Sequence, residues 1–139
     1  MALFNKETNI LITDPSKGLI HVCDLNGNIL KSINPGGCLK GTFGFCVGIR
    51  KNGIEEIYVY DARARTVFVF NQDFKLIKKI GENLKKASFN LTIDYESDIL
   101  YCLHRDKDVV TLWKVNDTKL IHELKIEQPY DLKISENKI

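Results

Sequence analysis

The residues of this 139-residue chain with chemistry to offer are four cysteines, three histidines and a scatter of carboxylates. Cys23, Cys38, Cys46 and Cys102 form no CxxC pair, and none stands at ligand spacing from a histidine. Four cysteines are compatible with two disulfides. The first residues, Met1 to Glu7, lack a basic stretch followed by an apolar run, so no secretion signal is read there. Reduced, mostly buried thiols in a cytoplasmic protein are therefore expected. In that setting Asn90-Leu91-Thr92 and Asn116-Asp117-Thr118 match the glycosylation sequon by accident. Asp14 and Asp61 each close an apolar segment, where a carboxylate accepts the N–H groups of the following turn. They are read as structural turn caps rather than as an acid–base pair. No catalytic residue, metal ligand or cofactor is assigned.

The elements that carry these residues are strands. The chain holds 16 Ile and 8 Val against 4 Ala and 1 Met. β-Branched and aromatic residues together number 44, an inventory for pleated surfaces rather than helices. A helical bundle and a coiled coil are excluded. So is disorder, because 44% hydrophobic residues suffice for a core. No run approaches the roughly 18 apolar residues of a membrane span.

The chain also repeats itself. Ile10-Leu11-Ile12-Thr13-Asp14 resembles Ile57-Tyr58-Val59-Tyr60-Asp61. Without a gap, Leu19 to Asp24 then lies under Thr66 to Asn71, and Ile29 to Ile33 under Leu76 to Ile80. Ile99 to Leu103, Val109 to Trp113 and Leu120 to Leu124 form a third copy. A further segment precedes each triple: Phe45 to Ile49, Phe89 to Ile93, and Pro129 to Ile134. Val47, Leu91 and Leu132 are taken as equivalent. Each unit is thus four short strands, A to D, separated by turn residues such as Asn26-Gly27 and Asn52-Gly53. Four antiparallel strands in just over 40 residues is the mark of a β-propeller blade. The expected fold is all-β, with units at about 1–43, 44–88 and 89–128, and 129–139 opening the next. Strand A is innermost, hence thin residues such as Gly48 and Thr92. Strands B and C are apolar because neighbouring blades cover both faces. Strand D is half exposed.

Ile57-Tyr58-Val59-Tyr60-Asp61 followed by Val67-Phe68-Val69-Phe70-Asn71 resembles the NHL-repeat propeller family. Its repeat runs aliphatic-Tyr-Val-x-Asp, a short polar turn, then Val-x-Val-Phe-Asp. The second unit matches best. The first keeps Asp14 but has Cys23 in the Phe place, and the third has His104 for Asp and Trp113 for Phe. The resemblance implies a non-enzymatic scaffold, such as the substrate- or RNA-binding part of a tripartite-motif ubiquitin ligase. Related six-bladed propellers include lyases and calcium-dependent hydrolases, which need axial acidic or histidine ligands. The A strands here offer Asn90, Asp94 and Asp131 for that alternative.

In such a fold the B–C and D–A connections emerge on one face. They carry Lys17, Lys40, Arg63, Arg65, Lys85, Lys86, Arg105 and Lys107 against four acids, for a net +4. The opposite connections carry Lys6, Lys51, Lys75 and Lys119 against Glu7, Glu55, Glu56, Asp73, Glu96, Asp98 and Asp117, for a net −3. The overall +2 therefore conceals a basic and an acidic rim. The basic rim is expected to bind single-stranded RNA or an acidic protein segment. Phe43 is the main aromatic there able to stack on a base.

Three units are too few for a closed propeller. The chain reads as about half of a six-bladed ring. The remaining blades come either from a longer chain or from a second copy whose C-terminal strand A completes the first blade.

Overall fold

Short runs rich in β-branched and aromatic residues, separated by turns, fold this chain into short antiparallel strands. The computed structural model describes residues 2–81, 90–104 and 108–127; the Thr42 and Phe43 side chains also lie outside what is described. The first sheet holds β1 (Ala2–Phe4), β2 (Asn9–Asp14), β3 (Leu19–Asp24) and β4 (Ile29–Ile33). The second holds β5 (Thr42–Ile49), β6 (Glu55–Asp61), β7 (Thr66–Phe70) and β8 (Leu76–Ile80). The third holds β9 (Asn90–Asp94), β10 (Ile99–His104), β11 (Val109–Lys114) and β12 (Leu120–Lys125). Within each sheet spatial order follows chain order. A 3₁₀ turn, Pro35–Gly37, lies between the first two sheets. No α-helix occurs among the described residues. The architecture is all-β and propeller-like.

The middle sheet is sandwiched. Every residue of β6 and β7 is buried. Ile57, Val59, Phe68 and Phe70 pack towards the first sheet, on Phe4, Leu11, Ile20 and Val22. Tyr58, Tyr60, Val67 and Val69 point the other way, onto Leu91, Leu100 and Cys102 of the third. The period of two in β6 and β7 thus feeds two separate cores. Each fully buried large side chain stabilises by roughly 1.5–3 kcal/mol. The flanking sheets differ. β2, β3 and β11 mix buried with partly exposed positions, since among the described residues a sheet packs on only one of their faces. Among the described residues, B and C strands buried along their whole length are those of the second unit.

The sheets approach through their first strands. A Cβ on Gly48 of β5 would stand 2.7 Å from Ile93 Cγ2 and 2.5 Å from the Tyr95 hydroxyl. Only a hydrogen fits there, so Gly48 sets the distance between the second and third sheets.

Each outer pair, β3–β4, β7–β8 and β11–β12, contains one register shift at the same place, after Val22, Val69 and Leu112. The unpaired residues are Leu30, Ile77 and Ile121, all exposed. A bulge in the outermost strand twists the edge and discourages further pairing.

The ladders correct two alignments. Val47 pairs with Ile57, and Ile93 with Leu100. Ile93, not Leu91, is therefore the counterpart of Val47. A slip of two residues leaves every side chain on its own face, so hydrophobic pattern cannot detect it. Likewise Ile57 pairs with Phe70 and Leu100 with Trp113, so Leu100 rather than Ile99 is the counterpart of Ile57. This register puts His104 in the place of Asp61. The expected strand over Pro129 to Ile134 lies outside the described residues. The first sheet already has four strands, because β1 pairs with β2 from Ala2–Leu11 to Phe4–Asn9. No strand need be borrowed to complete it.

Candidate ligand-binding rim

The B–C turn of the second unit and the connection from the first sheet meet on Asp61. This fully buried residue accepts N–H bonds from Arg63 and Ala64 on Oδ1, at 2.9 and 3.0 Å. Its Oδ2 accepts the N–H of Lys40, and that of Gly41 at 3.2 Å. One carboxylate thus satisfies four backbone donors from two segments that pass 20 residues apart in sequence. The Ala62 N–H adds a bond to the Gly41 carbonyl at 3.0 Å. Asp14, its counterpart in the first unit, accepts the Lys17 N–H and the Ser16 hydroxyl. The Ser16 bond holds the Asp14 carboxyl below its ordinary value, with His21 and Lys17 adding to the effect.

Fixing Lys40 and Arg63 on one carboxylate brings their side chains to one groove of about 450 Å³. Cys38, Ala64, Thr66, Phe68 and Lys79 complete its lining. Arg63 lies across Gly41, where a Cβ would stand 3.2 Å from its Cδ and Nε. Lys79 Nζ sits 5.7 Å from the centre of the Phe68 ring. None of these three cations has a carboxylate within ion-pair distance among the described residues.

Of the eight basic rim residues, the structure brings Lys40 and Arg63 together. Lys17 and Arg65 are exposed on turns outside the groove lining. Arg65 occupies the left-handed region at φ 56°, as do Gly18 at 64° and Asp108 at 52° in the corresponding turns. Lys85, Lys86, Arg105 and Lys107 lie outside the described residues, as does the Phe43 side chain. Lys79 lies in β8, outside the loops that carry the rim charges. Its register opposite Phe68 is the signal that would have found it.

The acidic rim changes more. Glu55 and Glu56 belong to β6, not to the preceding turn, and are only 2% and 7% exposed. Glu55 accepts the N–H groups of Asn5 and Lys6 at 3.0 and 2.9 Å. Glu56 Oε1 accepts from Arg50 at 2.8 Å, Tyr95 at 2.9 Å and Tyr58 at 3.3 Å. The Arg50 guanidinium also stacks 4.4 Å from the Tyr95 ring centre. Two of the seven expected rim carboxylates are therefore internal ties between sheets. Burial holds both tyrosine hydroxyls well above their ordinary range.

For the metal-site alternative, Asp94 accepts the Ser97 hydroxyl at 2.6 Å and the Glu96 N–H at 3.1 Å. Asp131 lies outside the described residues, among which no three possible metal ligands cluster. All four cysteines are free, and burial pushes the Cys46 thiol up to about 12. No helix among the described residues is long and apolar enough to cross a membrane.

Among solved structures, the chain is similar to hydrazine synthase of Kuenenia stuttgartiensis, with a TM-score of 0.68 at 12% identity. That match covers 92% of this chain and 36% of the other. It is also similar to the computationally designed Ika8 protein, with a TM-score of 0.64 at 16% identity over 97% of this chain and 40% of that one. The chain thus spans well under half the length of either. At these identities the likeness is one of fold, and it accords with a propeller-like stack of four-stranded sheets. No family model matches the chain, and no curated protein does.

Proposed function

We propose that this chain is a non-enzymatic interaction module that binds an acidic protein segment through its basic rim. The observation that supports this reading is the convergence on Asp61, whose carboxylate anchors the backbone N–H groups of Lys40 and Arg63 while neither side chain makes an ion pair among the described residues. Cations on an anchored backbone that make no ion pair among the described residues raise the local potential and accept carboxylates or phosphates. The likeness of β6 and β7 to NHL repeats supports the same class, whose members recognise ligase substrates or RNA. Four free thiols suit a cytoplasmic setting. A longer chain or a second copy would supply the remaining blades of a six-bladed ring.

Single-stranded RNA is the second reading, favoured by the same cations. The groove's aromatic residue, Phe68, is only 4% exposed and offers no open face for a base. The test is fluorescence anisotropy with a labelled oligoglutamate peptide and with oligouridine, at 50 and 200 mM salt. Salt-dependent peptide binding abolished by Arg63→Glu is expected. Absence of binding to both probes at low salt refutes the rim.

A further inference from the structure

The second unit carries something its neighbours lack. At the positions of Arg63, Phe68 and Lys79, the first unit has Ser16, His21 and Ser32, and the third has Asp106, Thr111 and Glu123. All three units build the same sheet, so the fold does not require cations there. In the first unit the equivalent place is filled by internal bonds: His21 Nδ1 to Ser32 Oγ at 2.7 Å, and Nε2 to Asp14 at 3.5 Å. In the second, Phe68 closes the floor and Lys79 is raised over its ring.

The second unit's cations are also placed by structure. Lys40 and Arg63 are anchored through their own N–H groups on Asp61. Gly41 is the residue that leaves room for the Arg63 stem. Three positive groups thus line one concavity with an apolar side made by Ala64, Phe68 and Cys38. A carboxylate brings one charge to such a site. A phosphate monoester brings close to two, with three acceptor oxygens for three separate donors. A nucleic-acid phosphate is a diester with one charge, and its base finds no open aromatic face in the lining.

We propose that the groove of Lys40, Arg63 and Lys79 is a binding site for a phosphorylated serine or threonine on an extended partner segment, with an apolar neighbour of that residue lying against Ala64 and Cys38. The proposal rests on the basic rim as the interaction face and narrows it to one pocket and one ligand chemistry.

Binding to the full chain would be measured with a labelled nonapeptide carrying one phosphoserine flanked by leucines, its unphosphorylated twin, inorganic phosphate, oligoglutamate and oligouridine. The phosphopeptide is expected to bind at least about tenfold more tightly than its twin, and inorganic phosphate to compete. Lys79→Gln is expected to weaken the phosphopeptide about tenfold while leaving oligoglutamate within about twofold. Arg63→Gln should weaken the phosphopeptide as well, and an unchanged affinity there also overturns the pocket. Far-UV circular dichroism checks that both variants fold. Equal binding of the two nonapeptides, or no effect of Lys79→Gln, overturns the pocket. If oligoglutamate binds and loses affinity in Arg63→Glu while the phosphopeptide behaves like its twin, the rim stands and the pocket falls. If oligouridine outcompetes the phosphopeptide at the same site, the pocket falls in favour of RNA.

Discussion

Glu55 and Glu56 are consecutive in β6, yet each ties the middle sheet to a different neighbour. Glu55 receives two N–H groups of the β1–β2 turn in the first sheet, while Glu56 receives the Tyr95 hydroxyl from the end of β9 in the third. The pleat sends adjacent side chains to opposite faces, so two like residues in a row serve two interfaces. The turn that Glu55 holds is strained: Asn5, Lys6 and Glu7 all have positive φ, at 53°, 53° and 65°. Successive N–H groups in that conformation converge on a concave anion site, filled here from within the chain by a carboxylate.

Removing either tie separates one sheet from its neighbour. Glu55→Ala leaves two strained N–H groups without their acceptor and is expected to cost about 2–4 kcal/mol. Glu56→Ala removes the shared acceptor of Arg50 and of the Tyr58 and Tyr95 hydroxyls. Its cost is about 2–3 kcal/mol, below a fully buried ion pair because Arg50 is one-third exposed. Urea unfolding of the single and double variants measures both. The two carboxylates act in different interfaces, so near-additive losses are expected. A cost below about 0.5 kcal/mol for both would mean that the ties are ornamental.

The Tyr58–Tyr95 pair, 3.1 Å apart between hydroxyl oxygens beside Glu56, sets an alkaline limit. Burial raises both phenols in the folded state. Above about pH 10 the unfolded chain releases these protons while the folded chain retains them, so stability falls as pH rises. Below that pH the contribution is fully present. Cys46, at about 12 against an ordinary 9.0, acts in the same direction from about pH 9. Thermal melts from pH 7 to 11 should show a steepening loss, and Tyr95→Phe should flatten it. A Tyr95→Phe curve parallel to wild type would dissociate the loss from this hydroxyl.

Gly48 is expected to tolerate no side chain. Its missing Cβ faces both Ile93 and the Tyr95 hydroxyl. Alanine would push the third sheet away and pull Tyr95 off Glu56, for about 1–3 kcal/mol. Tryptophan fluorescence reads this interface, because Trp113 packs against its core. An unchanged unfolding midpoint would show that the two sheets move apart freely.

The legible part of this molecule was its repetition. β6 and β7 read as strands because Ile57 to Tyr60 and Thr66 to Phe70 are β-branched or aromatic without interruption, and their recurrence locates the other sheets. What sequence could not give was register along the first strand, since Leu91 and Ile93 share a face. Nor could it give the fate of Glu55 and Glu56. Placed in a turn by residue type, they count as solvated charges; one residue further into the strand, they become buried acceptors. The groove was half legible. Arg63 and Lys40 stand in loops whose summed charge is basic, whereas Lys79 lies in a strand that is polar anyway.

The outer face of the first sheet bears on association. Ile10 and Ile12 occupy the places of Ile57 and Val59, which the preceding sheet buries; here Ile10 is partly exposed and Ile12 39% exposed. The chain on its own is expected to self-associate through such faces at micromolar concentration. Light scattering should give a mass above 15.9 kDa that falls towards it in the Ile12→Lys variant. A monomer at all concentrations would mean that these faces are tolerated in water.

Asp61 links stability to binding more tightly than any other residue of the rim. Asp61→Ala removes the acceptor of four N–H groups and should cost about 2–4 kcal/mol. It should also weaken binding of acidic peptides, because Lys40 and Arg63 lose the anchor that orients both. Asp61→Asn retains one acceptor oxygen and replaces the other with a donor facing Lys40 and Gly41 or Arg63 and Ala64. One pair of N–H groups then keeps its partner, and the other meets an amine. The asparagine variant should therefore fold with an intermediate midpoint in urea and bind with intermediate affinity. Asp61→Ala binding as tightly as wild type, once shown to be folded, would separate the cap from the function of the rim.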